Sequence, residues 1–122
     1  MDSYIRSLDM KAIVSAKVEA DDFIAMYNKG EAILLDVRYA FEHKVWGLPF
    51  TCNIPLNELP DRLSELPNDK IIVCACPESC RSNIAKQYLS LKGFNAKILT
   101  CGMLTLMERL KGGKAKDLHL EA

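Results

Sequence analysis

The sequence predicts an α/β fold: a single domain with a central, mostly parallel sheet and helices on both faces. Two observations carry this. Short runs of Ile, Leu, Val, Ala and Cys at 32–35 and 71–75, the first continued by Asp36 and Val37, suit strands buried on both faces of a sheet. Between such runs lie segments whose apolar residues recur at helical spacing, which is the alternation of a parallel sheet covered by crossover helices. At 122 residues the chain fits one domain, and no internal repeat divides it.

Taken in order, residues 1–13 are weakly patterned and are expected to be an N-terminal extension with a loose turn or short helix. Lys17, Val18 and Glu19 suggest a short strand. Residues 20–28 read as a helix with Phe23, Ile24 and Tyr27 on one face and Asp21 and Asp22 in its first turn, where the dipole favours acids. Gly30 closes it. Residues 32–37 form a second strand, and 39–44 a short helical turn in which Glu42 is placed to pair with Arg38 at i+4. Trp46, Gly47, Leu48, Pro49 and Phe50 read as a loop, and 51–54 as a short strand ended by Pro55. Leu56, Leu59, Leu63 and Leu66 follow at helical spacing, with Pro60 suited to the first turn of that helix. After the turn at Pro67, Asn68 and Asp69 comes the strand 71–75, a loop, and a helix bearing Ile84, Ala85, Tyr88 and Leu89. Lys92 in its last turn and Gly93 mark its end. Residues 95–99 are the last strand and 103–110 the last helix. Residues 113–122 are expected to be a flexible tail, and the basic run at 111–116 a solvated terminus.

Bulk composition excludes several function classes. Lys plus Arg and Asp plus Glu each number 16, so no net charge calls for nucleic acid or a membrane surface. No apolar run approaches the roughly 20 residues of a spanning helix. The start, Met-Asp-Ser-Tyr-Ile-Arg, lacks the blocks of a secretory signal, so a cytoplasmic location is expected. Five cysteines, an odd number, argue against a structural disulfide framework.

Three of those cysteines, Cys74, Cys76 and Cys80, fall within seven residues. Cys76 stands where the strand 71–75 ends and a loop leads to a helix. Backbone N–H groups and the positive end of the helix dipole converge there, and both favour a thiolate and receive an anionic substrate. Arg81 closes the loop with a fixed positive charge. Cys76 is thus the candidate nucleophile and Arg81 its anion-stabilising partner. Pro77, Glu78, Ser79, Cys80 and Ser82 complete the substrate-binding loop, and Glu78 places a negative charge where an anion would approach. Cys80 is either a bystander or a resolving thiol, able to attack an oxidised or persulfidated Cys76. Cys74 is expected in the core on the same face as Cys76, and Cys52 and Cys101 as packing residues. The C-x-C-x3-C spacing lacks the paired knuckles of a structural zinc site, and His43 and His119 add no ligand pattern, so no metal is expected.

Several segments, in order and at matching separations, resemble the rhodanese-like domain family of small sulfurtransferases over residues 14–112. They are Ile33-Leu34-Leu35-Asp36-Val37-Arg38 with Glu42; Asn53-Ile54-Pro55-Leu56 with Glu58-Leu59; the six-residue loop 76–81 with its cysteine first; Gly93-Phe94; and Cys101-Gly102-Met103. The family's Gly-His-Ile-Pro-Gly-Ala segment is reduced here to Pro49, with His43 out of register. Ser79 stands where the loop usually has glycine, and Pro77 where many active members have a basic residue. The resemblance implies transfer of a sulfane sulfur from thiosulfate or a persulfide to a thiol or cyanide, through a cysteine persulfide on Cys76. Its partners would be a small sulfur donor and a thiol acceptor, a protein thiol among the options, with no cofactor. Two other readings stay open: a non-enzymatic persulfide carrier or protein-binding module, and a cysteine-dependent phosphatase or arsenate reductase. The latter is disfavoured by a loop one residue shorter than the related phosphatases use.

Overall fold

A computed structural model describes residues 1–76, 79–100 and 102–120. Its frame is a five-stranded sheet in the order β1-β5-β4-β2-β3, with every pairing parallel. The strands are β1 (Lys17–Val18), β2 (Ala32–Asp36), β3 (Cys52–Asn53), β4 (Ile71–Ala75) and β5 (Ala96–Leu99). The helices are α1 (Asp2–Arg6), α2 (Met10–Ser15), α3 (Ala20–Asn28), α4 (Ala40–Val45), α5 (Ser79–Leu91) and α6 (Gly102–Arg109). No helix among the described residues is long and apolar enough to cross a membrane.

The alternation of side chains along the strands divides the core into two layers. Leu34, Val73, Ala75 and Leu99 pack with Phe23 and Ile24 of α3 and Met103 and Leu106 of α6. Leu35, Ile72, Cys74 and Cys76 pack on the other face with Ala85 and Leu89 of α5 and with Ile54, Leu59 and Leu66. β4 lies between β2 and β5 and is covered on both sides, which is why its sequence is apolar without a break. Gly93 follows α5 with φ of 90°, a left-handed conformation that only glycine adopts without strain, and turns the chain into β5.

Five expectations are corrected. The leucines at 56–66 do not form one α-helix but two 3₁₀ segments, Leu56–Asp61 and Leu63–Glu65. Pro60 lies inside the first, and lacking an N–H and crowding the carbonyl four residues back, it cannot sit within an α-helix. Arg38 does not pair with Glu42. It precedes the N-cap Tyr39, outside helical i+4 geometry, and binds Asp36 instead. α5 begins at Ser79, so Cys80 and Arg81 belong to its first turn rather than to a free loop. Ile84, one of the apolar residues read at helical spacing, is exposed, and Ser82 takes the inner position. At the C-terminus, Gly112–Asp117 is a 3₁₀ turn, Leu118 is buried in the α3–α6 layer, and Asn28 binds the backbone of Asp117 and His119.

Candidate active site

Chain topology decides where a site can form. From β2 the chain crosses to β3 on one side, and from β4 it crosses to β5 on the other. The crossovers diverge between β2 and β4, so a crevice opens at the carboxyl ends of these two strands, where open α/β sheets bind ligands. β2 delivers Asp36, Val37 and Arg38 to it, and β4 delivers Cys76.

Cys76 is 2% exposed and belongs to the α5-side layer, as does Cys74 two residues earlier. Its Sγ lies 3.6 Å from Ser82 Oγ, to which the thiol can donate. Its carbonyl accepts the N–H of Met103, so the start of α6 fixes the backbone at the strand end. The N-terminus of the 13-residue α5 follows within three residues, bringing the positive end of its dipole to the same place. Cys74, by contrast, is enclosed in apolar surroundings, and burial pushes its thiol up to about 12. It is inert packing, as expected. Cys52 is half-buried in β3, and burial raises its thiol also.

Arg81 reaches back from α5 to α4. Its Nη1 and Nη2 donate to the two oxygens of Glu42 at 2.6 and 3.0 Å, a bidentate pair across 39 residues of sequence. The Arg81 hydrogen bond holds the Glu42 carboxyl down at about 2. Glu42 Oε1 also accepts the N–H of Tyr39, so one carboxylate caps α4 and anchors Arg81.

Beneath this pair Asp36 is fully buried. Burial alone would raise its carboxyl, but hydrogen bonds from Arg38 and His43 outweigh it and hold it below the usual value. Arg38 donates through Nε and Nη2 at 3.0 and 2.8 Å, and His43 Nδ1 lies 2.9 Å from Oδ2. The Arg38 guanidinium lies over the Trp46 ring, 5.8 Å from its centre. Asn53 donates to the carbonyls of Asp36 and Arg38 and ties β3 to the same corner.

The structure thus brings Cys76, Ser82 and Arg81 to one corner and places Cys80 exposed on α5. Pro77, Glu78 and the side chain of Ser79, expected in the substrate loop, lie outside the described residues, as does Cys101. Among the described residues no group of three or more His, Cys, Asp and Glu side chains is placed to hold a metal. Sequence reasoning missed Glu42 as the partner of Arg81 and His43 as a partner of Asp36. The available signal was Asp36 itself, an acid ending a buried strand, which requires compensating donors nearby.

Comparison with known proteins agrees with this geometry. The rhodanese-like domain family model matches residues 19–108. An HTH-type transcriptional regulator of Mycobacterium tuberculosis is 47% identical over 47 residues, which cover 38% of this chain and 21% of the regulator. A sulfurtransferase of Allochromatium vinosum is 31% identical over 64 residues, 52% of this chain and 60% of that protein. The chain therefore spans less than two thirds of both relatives. The crystal structure of a rhodanese-related protein from Thermoplasma volcanium superposes with a TM-score of 0.67 at 29% identity, covering 76% of this chain and 91% of that one.

Proposed function

The chain belongs to the rhodanese-like domain family, and from that premise we propose that it is a sulfurtransferase that carries sulfur as a persulfide on Cys76. The observation that supports this most is the position of Cys76: a nearly buried thiol at the switch point of the sheet, facing the start of α5. A sulfur so enclosed suits a donor whose reacting atom is a single terminal sulfur. The name of the Allochromatium relative points the same way.

The chemistry runs in two displacements. The Cys76 thiolate attacks the outer sulfur of a donor, thiosulfate or a persulfide. A bond forms between Cys76 Sγ and that sulfur, the donor's S–S bond breaks, and its electron pair leaves on sulfite or on the donor thiolate. An acceptor thiolate or cyanide then attacks the outer sulfur of the Cys76 persulfide, and the pair returns to Cys76. Ser82 Oγ, 3.6 Å from Sγ, is placed to donate to the thiolate form. Arg81 stands at the rim with its guanidinium paired to Glu42.

The experiment is a mass spectrum of the intact protein after exposure to thiosulfate or a small persulfide, followed by peptide mapping. One added sulfur on Cys76, absent in Cys76→Ser, is the expected result. Sulfur on another cysteine overturns the assignment. A second reading, a carrier without efficient turnover, is favoured by the engagement of both Arg81 Nη groups with Glu42. Rapid loading with slow multiple turnover would select it.

A further inference from the structure

We propose that this site selects, among sulfur donors, persulfides whose carbon group is apolar and uncharged, with Tyr39 as the specificity-determining wall. The inference rests on the sulfurtransferase reading and adds the class of donor. Beside the strand end that carries Cys76 lies an open hollow of about 410 Å³, lined by Val37, Tyr39, Leu56, Asn57 and Arg81. The Val37 N–H binds the carbonyl of Ala75, so this wall adjoins the residue that precedes Cys76. Val37, almost fully buried, floors the hollow, and Leu56 presents aliphatic surface to it. Tyr39 is 48% exposed and stacks on Phe41, itself 67% exposed, with ring centres 5.6 Å apart and planes within 9°. These rings extend the apolar wall outward into solvent.

Charge at the rim argues in the same direction. Of the described residues lining the hollow, Arg81 alone carries charge, and both its Nη groups are bound by Glu42. That carboxylate stays ionised throughout the physiological range. An entering anion meets an ion pair whose positive charge is already compensated. An apolar carbon group meets Val37, Tyr39 and Leu56 and loses contact with water. The step remains the one above: Cys76 gains the outer sulfur, the donor's S–S bond breaks, and the carbon-bearing thiolate leaves with the electron pair.

The test compares two donors that share this chemistry and differ in the carbon group: the freshly made persulfides of benzyl thiol and of 2-sulfanylethanesulfonate. The readout is the single-turnover rate of sulfur addition to Cys76, followed by intact mass and peptide mapping. Partial burial of a ring's carbons favours the benzyl donor by about tenfold. In Tyr39→Ser the ratio of the two rates falls toward one. In Glu42→Gln it narrows because the sulfonate donor gains. A wild-type ratio near one, a ratio in favour of the sulfonate, or a ratio unchanged in Tyr39→Ser overturns the inference while leaving the sulfurtransferase reading intact. Failure of both donors to place sulfur on Cys76 overturns that reading and this inference with it.

Discussion

Asp36 carries a negative charge without any exposed surface, and its two partners have different jobs. Arg38 neutralises it and is itself buried, whereas His43 is more exposed and approaches from α4. Removing Arg38 leaves a buried carboxylate that His43 alone must satisfy. Arg38→Ala is therefore expected to cost about 3–5 kcal/mol of stability, measured by urea unfolding. Asp36 is held below its ordinary value in the folded state. Its ionic contribution is thus fully present above the ordinary carboxylate range and is lost as pH falls below it. Glu42 behaves likewise, its contribution being lost as pH falls from its ordinary value to about 2. A carbon-detected NMR titration should find Glu42 ionised at pH 3.5, and Arg81→Ala should return it toward the ordinary carboxylate range. Cys80 adds a test of its own. It is exposed and four residues from Cys76, and we propose that it acts as a resolving thiol. Attack by Cys80 on Cys76 persulfide would form a disulfide and release hydrosulfide. Cys80→Ser should then lengthen the lifetime of the persulfide, and equal lifetimes would make Cys80 a bystander.

At the scale of elements, α4 is the part that organises the site. It is only six residues long and has no buried residue, so packing does not hold it. It is held instead by Glu42 to Arg81 at one side and His43 to Asp36 at the other. The chain leaves it at Gly47, where a Cβ would come within 2.7 Å of the His43 carbonyl and 2.9 Å of its Nδ1. Gly47→Ala should shift α4 and cost about 1–3 kcal/mol by overpacking, again read by urea unfolding, with a slower rate of sulfur loading. The contrast with α3 shows what was legible in the sequence. α3, β2 and β4 were readable because each writes its burial into a local pattern of apolar residues. The 3₁₀ segments around Pro60 were not, because leucine spacing was the same and the proline's missing N–H decided the geometry. The placing of Cys76 at a strand end beside a helix start was readable because Cys76 and Arg81 lie within one strand–helix turn. Glu42 was not, because its partner Arg81 follows β4 and is brought to it by the pairing of β2 with β4. His43 was not, because it meets Asp36 across the turn between β2 and α4, at a separation of seven that is not set within one helix.

The whole molecule separates stability from chemistry across its sheet. Cys76 belongs to the layer shared with α5, while α3 and α6 cover the opposite face. Residues 111–120 close that opposite face. Leu118 is buried against it, Asn28 binds both Asp117 and His119, and Arg109 joins Asp21 to Asp117. The surface ion pairs contribute little on their own. The larger contributions are one buried leucine and the Asn28 hydrogen bonds. Deleting residues 111–122 should therefore lower stability by about 2–4 kcal/mol, seen as an earlier urea midpoint. Leu118→Ser in the full chain should reproduce most of that loss. Sulfur loading of Cys76, measured where the shortened protein is still folded, should keep its rate, because the sheet lies between the deleted segment and the thiol. An unchanged midpoint would mean that the segment is not part of the folded unit. A slower loading rate at full folding would mean that the two faces of the sheet are coupled, with the Met103 N–H on the Cys76 carbonyl as the contact that joins them.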